Sequence, residues 1–259
     1  MPRPLVLLSN DDGYDAPGIL ALRQELLACA DVILVAPQTE QSATSHSLSL
    51  HKPLRARTHG EGVFSIDGTP ADCVYIALHS GARFLPRRPD LVLSGINRGL
   101  NLGQDVFYSG TVAAAREGAL RGIPSLATSA HPRADLPRFA ALTARIALTM
   151  QGKVSCAGRA PLYNLNAPQN WTGEVRVCKT GARIYEEIVD WREDPRGREY
   201  LWLGGPGVRH DVDPGSDTEA YDDGAVSLTS LLLDLTQTGD EPELRALITA
   251  LRDPGPGAI

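Results

Sequence analysis

Cysteine is scarce in this chain. Its four residues, Cys29, Cys73, Cys156 and Cys178, lie far apart and form no C-x-x-C pair, which argues against a disulfide framework and for packed thiols in a reducing compartment. Long apolar runs are missing too, and no basic and apolar leader precedes the first hydrophobic segment. No membrane association is therefore expected, and the cytoplasm is the expected location. Positive charge is in deficit, with 25 Lys and Arg against 31 Asp and Glu and a formal net charge of -6. A nucleic-acid polymer is a poor partner for such a surface, whereas a small anion held through a metal is compatible with it. There is no G-x-x-x-x-G-K-[S/T] string, so a P-loop kinase is disfavoured. No internal repeat and no low-complexity tract is visible.

What remains is an ordinary globular composition over 259 residues, a length suited to one large α/β domain. Leu5 to Gly18 organises the rest, because a short apolar run ends abruptly in a loop with two adjacent carboxylates, Asp11 and Asp12. Helical spacing follows over Ile19 to Ala30, and a second apolar run, Val32 to Ala36, gives way to a polar loop from Gln38 to Ser47. A right-handed βαβ unit puts both loops at one edge of a parallel sheet. Leu48 to Asp67 reads as a hairpin around His59 to Gly62, extending the sheet's edge. Further on, helices are expected at Ala71 to Ser80, Val112 to Arg121, Leu136 to Gln151 and Glu241 to Arg252, with a helical turn at Asp217 to Asp222. Strands are expected at Asp90 to Ser94, Pro124 to Ser129, Pro161 to Asn166, Glu174 to Lys179 and Ala225 to Asp234. Ile184 to Trp191 and Tyr200 to Leu203 read as a projecting hairpin, and Gly204 to Gly215 as loop. Trp191 and Trp202 on that arm would be costly to leave in water, which favours a partner subunit. The expected architecture is thus a single α/β domain over residues 1–259, with a mainly parallel sheet. Its core covers about 1–180, with the hairpin arm and carboxy-terminal segment over about 181–259.

Three loops that follow apolar runs carry polar chemistry: Asp11 and Asp12, then Ser42 and its neighbours, then Asn97, Asn101 and Ser109 to Thr111. Carboxylate, amide and hydroxyl oxygens suit a hard cation such as Mg²⁺ or Mn²⁺, whereas zinc prefers the His and Cys pairs that are missing here. Ser109, Gly110 and Thr111 open a helix, whose free N–H groups and partial positive charge suit a phosphate, and Asn101 can complete that pocket. Each feature alone has a plainer reading. An N-D-D-G loop can be a turn, Ser109 and Thr111 can be helix caps, and the glycines at 95, 99 and 103 can simply permit left-handed turns. His46, with no partner visible in the sequence, reads as a loop residue rather than a catalytic base. The conjunction of three such loops is what turn chemistry alone does not explain.

These same stretches carry a resemblance. L-L-S-N-D-D-G-Y-D-A-P-G-I, A-P-Q-T-E-Q-S-A-T-S-H-S-L-S-L and S-G-I-N-R-G-L-N-L-G-Q-D-V-F-Y-S-G-T-V-A-A-A-R-E-G resemble, in order, the signature stretches of SurE, the stationary-phase survival protein family. D-G-T-P-A-D-C-V, N-L-N-A-P and D-D-G-A-V-S-L-T-S-L-L-L-D-L-T resemble its later stretches. The resemblance implies a metal-dependent 5′- and 3′-nucleotidase with a Rossmann-like three-layer α/β core. It implies metal ligation by Asp11, Asp12, Ser42 and Asn97. With one divalent ion per subunit there, Asp11 and Asp12 are the expected catalytic residues, and the helix start and its neighbour make Asn101, Ser109, Gly110 and Thr111 the expected phosphate-binding residues. The resemblance also implies a homodimer built partly by exchange of carboxy-terminal elements, or a homotetramer through a projecting hairpin. Ala43 departs from the family, which often has Gly there, and Ala225 stands where an aromatic is common. The expected substrate is a nucleoside monophosphate, attacked by water or by Asp11 itself. The competing reading is a nucleotide-binding sensor with a metal site and little turnover. A haloacid-dehalogenase-like phosphotransferase would need D-x-D spacing, which adjacent Asp11 and Asp12 do not provide.

Overall fold

The computed structural model describes residues 3–154, 159–185, 188–204, 207–211, 213–236 and 239–252. At its centre lies β1 (Leu5–Ser9), buried at every position, as expected of a parallel strand covered on both faces. It pairs in parallel with β2 (Asp31–Pro37) on one side and with β5 (Leu91–Arg98) on the other. Outward from β2 come β4 (Val63–Ile66), also parallel, and the antiparallel edge strand β3 (Ala56–Gly60). Outward from β5 come β6 (Ser125–Ala130) and β7 (Leu162–Ala167), both parallel. The sheet closes with β13 (Val226–Leu231), antiparallel to β7, and then β8 (Val175–Cys178). The spatial order is β3-β4-β2-β1-β5-β6-β7-β13-β8. The chain therefore leaves β1 in one direction and returns to its other side at β5, so the switch in strand order falls between β1 and β5.

Alternation along β1 sorts the core into two layers. Val6 and Leu8 meet α1 (Pro17–Leu27) and α5 (Leu136–Thr149) on one face. Leu5 and Leu7 point to the other face, where Cys73, Val74 and Ala77 of α2 (Pro70–His79) and Ala114 of α4 (Gly110–Leu120) complete the layer. Local chemistry sets the helix starts. Thr69 forms a capping box with Asp72, and Asp135 accepts the Arg138 N–H at the start of α5, each of which satisfies donors the helix leaves free. Gly18 lies so close to the Ile96 carbonyl that a Cβ there would overlap it, so this glycine permits the contact of α1 with the end of β5.

The mainly parallel sheet flanked by helices agrees with the sequence reading, and several details differ from it. The edge hairpin is confined to β3 and β4, and 48–55 form no strand; Pro53 lacks a ladder donor, and Ser49 N–H binds the Asp72 carboxylate instead. A short helix, α3 (Asp105–Tyr108), interrupts what reads as continuous loop. The arm has two tiers. β10 (Val189–Glu193) pairs with β11 (Glu199–Leu203) at the tip, while β9 (Arg183–Tyr185) pairs with β12 (Val208–His210), which lies inside the stretch expected to be loop. Period-2 patterning is too short in a three-residue strand to be seen. The chain ends in α6 (Asp217–Asp222), β13 and α7 (Glu241–Arg252). Trp191 and Trp202 are 63% and 61% exposed on the arm. Cys29, Cys73 and Cys178 are free thiols, and Cys156 lies outside the described residues. Among the described residues no helix is long and apolar enough to cross a membrane.

Candidate active site

Ligands of open α/β sheets bind outside the carboxyl ends of the strands, where the strand order reverses. That point holds the loops after β1 and β5. A cleft of about 1260 Å³ opens there, and its walls include Asp11, Asp12, Ser42, Asn97, Asn101 and Ser109. Six of the eight residues expected at the site thus come together. Gly110 and Thr111 stand behind the wall and hold it. The Thr111 hydroxyl, fully buried, donates to Asp11 Oδ1. Gly110 passes so close that a Cβ would come within 2.9 Å of the Asp11 Cβ, so any side chain there would displace the carboxylate.

Each donor oxygen is anchored from behind. Asp12 Oδ2 accepts the Arg98 N–H at 2.9 Å, and Asn97 Nδ2 donates to the Gly99 carbonyl at 3.1 Å. Among the described residues Asp12 Oδ1 and Asn97 Oδ1 accept no hydrogen bond. Ser42 Oγ donates to Glu40 at 2.7 Å and keeps lone pairs free. Asn101 is fixed more completely, with its N–H on Asn166, its Nδ2 on Ser129 and its carbonyl accepting from Asn164 and Asn166. Ser109 caps α4 by accepting the Val112 N–H at 3.1 Å, which leaves its own proton to donate.

The electrostatics of this arrangement are unfavourable without a cation. Burial raises the Asp11 carboxyl from 3.8 to about 6, the bond from Thr111 opposing and the neighbouring Asp12 adding to the rise. Asp12 is raised as well, by burial first and by the charge of Glu40. Asp15, Glu40 and Asp105 line the same cleft, so a phosphate dianion entering it meets carboxylates. A hard divalent ion resolves both problems. Among the described residues no group of three His, Cys, Asp or Glu is placed to hold a metal. The available donor set is instead two carboxylates with an amide and a hydroxyl oxygen, which suits Mg²⁺ or Mn²⁺.

The polar loop that bears Ser42 is tightly pinned. Gln41 N–H binds the Asp11 carbonyl, and Ser45 binds the carbonyls of Tyr108 and Phe107. Ala43 and Ser45 hold φ of 55° and 52°, a left-handed conformation that glycine adopts more readily. A glycine in place of Ala43, which the resemblance leads one to expect, would take this conformation without strain. His46 has a partner that sequence did not reveal, because its Nε2 lies 2.9 Å from the buried carboxylate of Glu117 on α4. Burial alone would raise Glu117, yet the hydrogen bonds from His46 and Arg121 hold it below the usual carboxylate range. His46 is thus neither a free loop residue nor part of the cleft wall; it clamps the Ser42 loop to α4.

The family model described as Survival protein SurE matches residues 6–187. The chain belongs to the SurE family. It is 60% identical over 253 residues to 5′-nucleotidase SurE of Sorangium cellulosum, covering 97% of this chain and 98% of that one. It is 44% identical over 255 residues to 5′-nucleotidase SurE of Vibrio vulnificus, covering 97% of each. Among solved structures, the SurE protein from Aquifex aeolicus superposes with a TM-score of 0.80 at 36% identity, covering 95% of this chain and all of that one. The cleft described above lies within the part matched by the family model, including the strand β9 that contributes Tyr185 to its wall. Arg183 and Tyr185 reach Asp105 from 78 and 80 residues away, a contact with no local sequence signal.

Proposed function

We propose that this SurE-family chain is a metal-dependent phosphomonoesterase that hydrolyses nucleoside 5′-monophosphates to nucleoside and phosphate, with 3′-monophosphates and short polyphosphate as further substrates. The observation that carries the reading is the pair Asp11 and Asp12 at the strand-order switch, anchored by Thr111 and Arg98 in a cleft whose lining has more carboxylates than arginines. The names of its relatives in Sorangium cellulosum and Vibrio vulnificus support it. Asp11, Asp12, Ser42 and Asn97 would hold one Mg²⁺ or Mn²⁺, which supplies charge neutralisation at the transferring phosphoryl group when bound. Thr111 and Gly110 keep the Asp11 carboxylate in place. Ser109 donates its hydroxyl proton to a phosphoryl oxygen, Asn101 borders the same space, and the start of α4 at Gly110 and Thr111 adds its dipole. In one route water attacks phosphorus, the bond to the ribose oxygen breaks, and the proton lost by the water ends on that oxygen. In the other the Asp11 carboxylate attacks as the same bond breaks, the ribose oxygen takes a proton from water, and a water molecule then hydrolyses the acyl phosphate to free phosphate and restore Asp11. Exposed Trp191 and Trp202 support a partner subunit on the arm, the contact of a homotetramer, while a homodimer would be built partly by the carboxy-terminal elements.

Phosphate release from a panel of nucleoside monophosphates tests the reading, with Mg²⁺, Mn²⁺ or chelator and with an Asp12→Asn variant beside the intact chain. Metal-dependent release that collapses in the variant is the expected result. Tight nucleotide binding with no release under any metal would replace the enzyme by a sensor. Rapid-quench labelling separates the two attacking groups, since only the Asp11 route leaves phosphate on the protein.

A further inference from the structure

The cleft has an aromatic side that the phosphoryl chemistry leaves unused. Tyr185 and Tyr108 line it together with the carboxylates, the two residues being 43% and 66% exposed. The two differ in how they are held. The Tyr185 hydroxyl donates to Asp105 Oδ1 at 2.7 Å, and Arg183 donates to the other oxygen of Asp105. The Arg183 guanidinium carbon lies 5.4 Å from the Tyr185 ring centroid. Arg183 is fixed in turn by the Leu100 carbonyl and, through its N–H, by Gln104. The hydroxyl end of the ring is therefore anchored, with Arg183 over the ring, while the residue lines the cleft and stays partly exposed. Burial and the adjacent Asp105 push the phenol up to about 12, so the tethering proton is kept at any ordinary pH. No hydrogen bond by the Tyr108 phenol to a described residue accompanies its exposure.

A flat, apolar, immobilised ring beside a phosphate site is what a planar heteroaromatic group needs, because stacking gains most when the platform loses no freedom on binding. Building on the nucleotidase reading, we infer that Tyr185 is the surface on which the nucleobase of the substrate stacks, with Asp105 and Arg183 as the residues that position it. Arg183 and Tyr185 belong to β9, so the arm contributes to substrate recognition. Every base has a π-face, which makes such a platform tolerant of base identity.

The test compares AMP with ribose 5-phosphate, which has the same sugar phosphate and no base. In the intact chain AMP has the higher kcat/KM. Tyr185→Leu lowers kcat/KM for AMP about tenfold or more, mainly through KM, and leaves ribose 5-phosphate within about twofold. Tyr185→Phe keeps the ring but loses the hydroxyl tether to Asp105, so its kcat/KM for AMP falls between those of the intact chain and Tyr185→Leu. Equal losses on the two substrates in Tyr185→Leu would overturn the assignment, as would an unchanged AMP preference. Selective loss in Tyr108→Leu alone would transfer the platform to Tyr108. If the intact chain released phosphate from neither compound, the nucleotidase reading would fail. Calorimetric binding of AMP against ribose 5-phosphate to the intact and Tyr185→Leu proteins would still decide the stacking: equal affinities for AMP in the two proteins overturn it.

Discussion

Replacing Asp11 by Asn should abolish phosphate release and, in metal-free buffer, make the protein more stable. Asn preserves the size of the side chain and an oxygen to accept the Thr111 hydroxyl, removes the charge, and turns the other oxygen into an NH₂ donor. In the folded protein the Asp11 carboxyl is raised from 3.8 to about 6 by burial, against the pull of Thr111 and with the push of Asp12. The folded state thus holds the proton more tightly than the unfolded chain does. The cost of ionising Asp11 is absent below 3.8, grows as pH rises, and is complete above about 6. A rise of this size corresponds to roughly 3 kcal/mol at neutral pH, or a gain of about 6–12 °C in Tm for the variant in a chain of this length. Thermal unfolding in chelator across about pH 4 to pH 8 measures it, with the gap between variant and parent opening as pH rises. Added Mg²⁺ at about a hundred times its Kd should lift the parent by roughly 2.7 kcal/mol and the variant far less. A variant no more stable than its parent at neutral pH in chelator, or a gap that does not depend on pH, would refute the view of Asp11 as a buried charge waiting for a cation.

Gly18→Ala would drive a Cβ into the Ile96 carbonyl and should cost about 3 kcal/mol or more, read as a large fall in denaturation midpoint; a neutral result would mean α1 can shift from β5 freely. His46→Ala strips a donor from buried Glu117 and should cost about 1–3 kcal/mol while weakening Mg²⁺ affinity through the Ser42 loop. His46→Gln should restore much of both, and equal metal affinity in all three proteins would break the link between His46 and Ser42. Because Glu117 is held below its ordinary value of 4.5, its contribution is present above that pH and lost as pH falls through the lowered value. Glu117→Gln should therefore flatten the acid limb of the stability profile, which urea titrations down to about pH 3 would show. Trp191→Ser with Trp202→Ser should reduce the assembly size seen by light scattering, and an unchanged mass would take the arm out of the interface.

Much of the core was legible from local patterns. The short apolar run ending at Ser9 reads as a strand, and an abrupt change to N-D-D-G places Asp11 and Asp12 at its carboxyl end. Loops of this kind are readable because a strand's end and the residues just beyond it are neighbours in the chain. The same logic brought Ser42, Asn97, Asn101 and Ser109 to one edge, since parallel strands joined by right-handed crossovers all end on the same side.

Tertiary structure decided what those residues do for one another. Thr111 belongs to the helix start that suggested a phosphate ligand, yet packing of α4 against the β1 loop gives its hydroxyl to Asp11. His46 acquires its role only because the polar loop folds across α4 to Glu117, 71 residues away. Arg183 and Tyr185 enter the cleft because the two-tiered arm turns its base strand toward α3, and Asp105 receives them. Sequence patterning reports burial and periodicity along one segment. Pairings between distant polar groups are set by how the layers close, and a single side chain carries no mark of the partner it will meet.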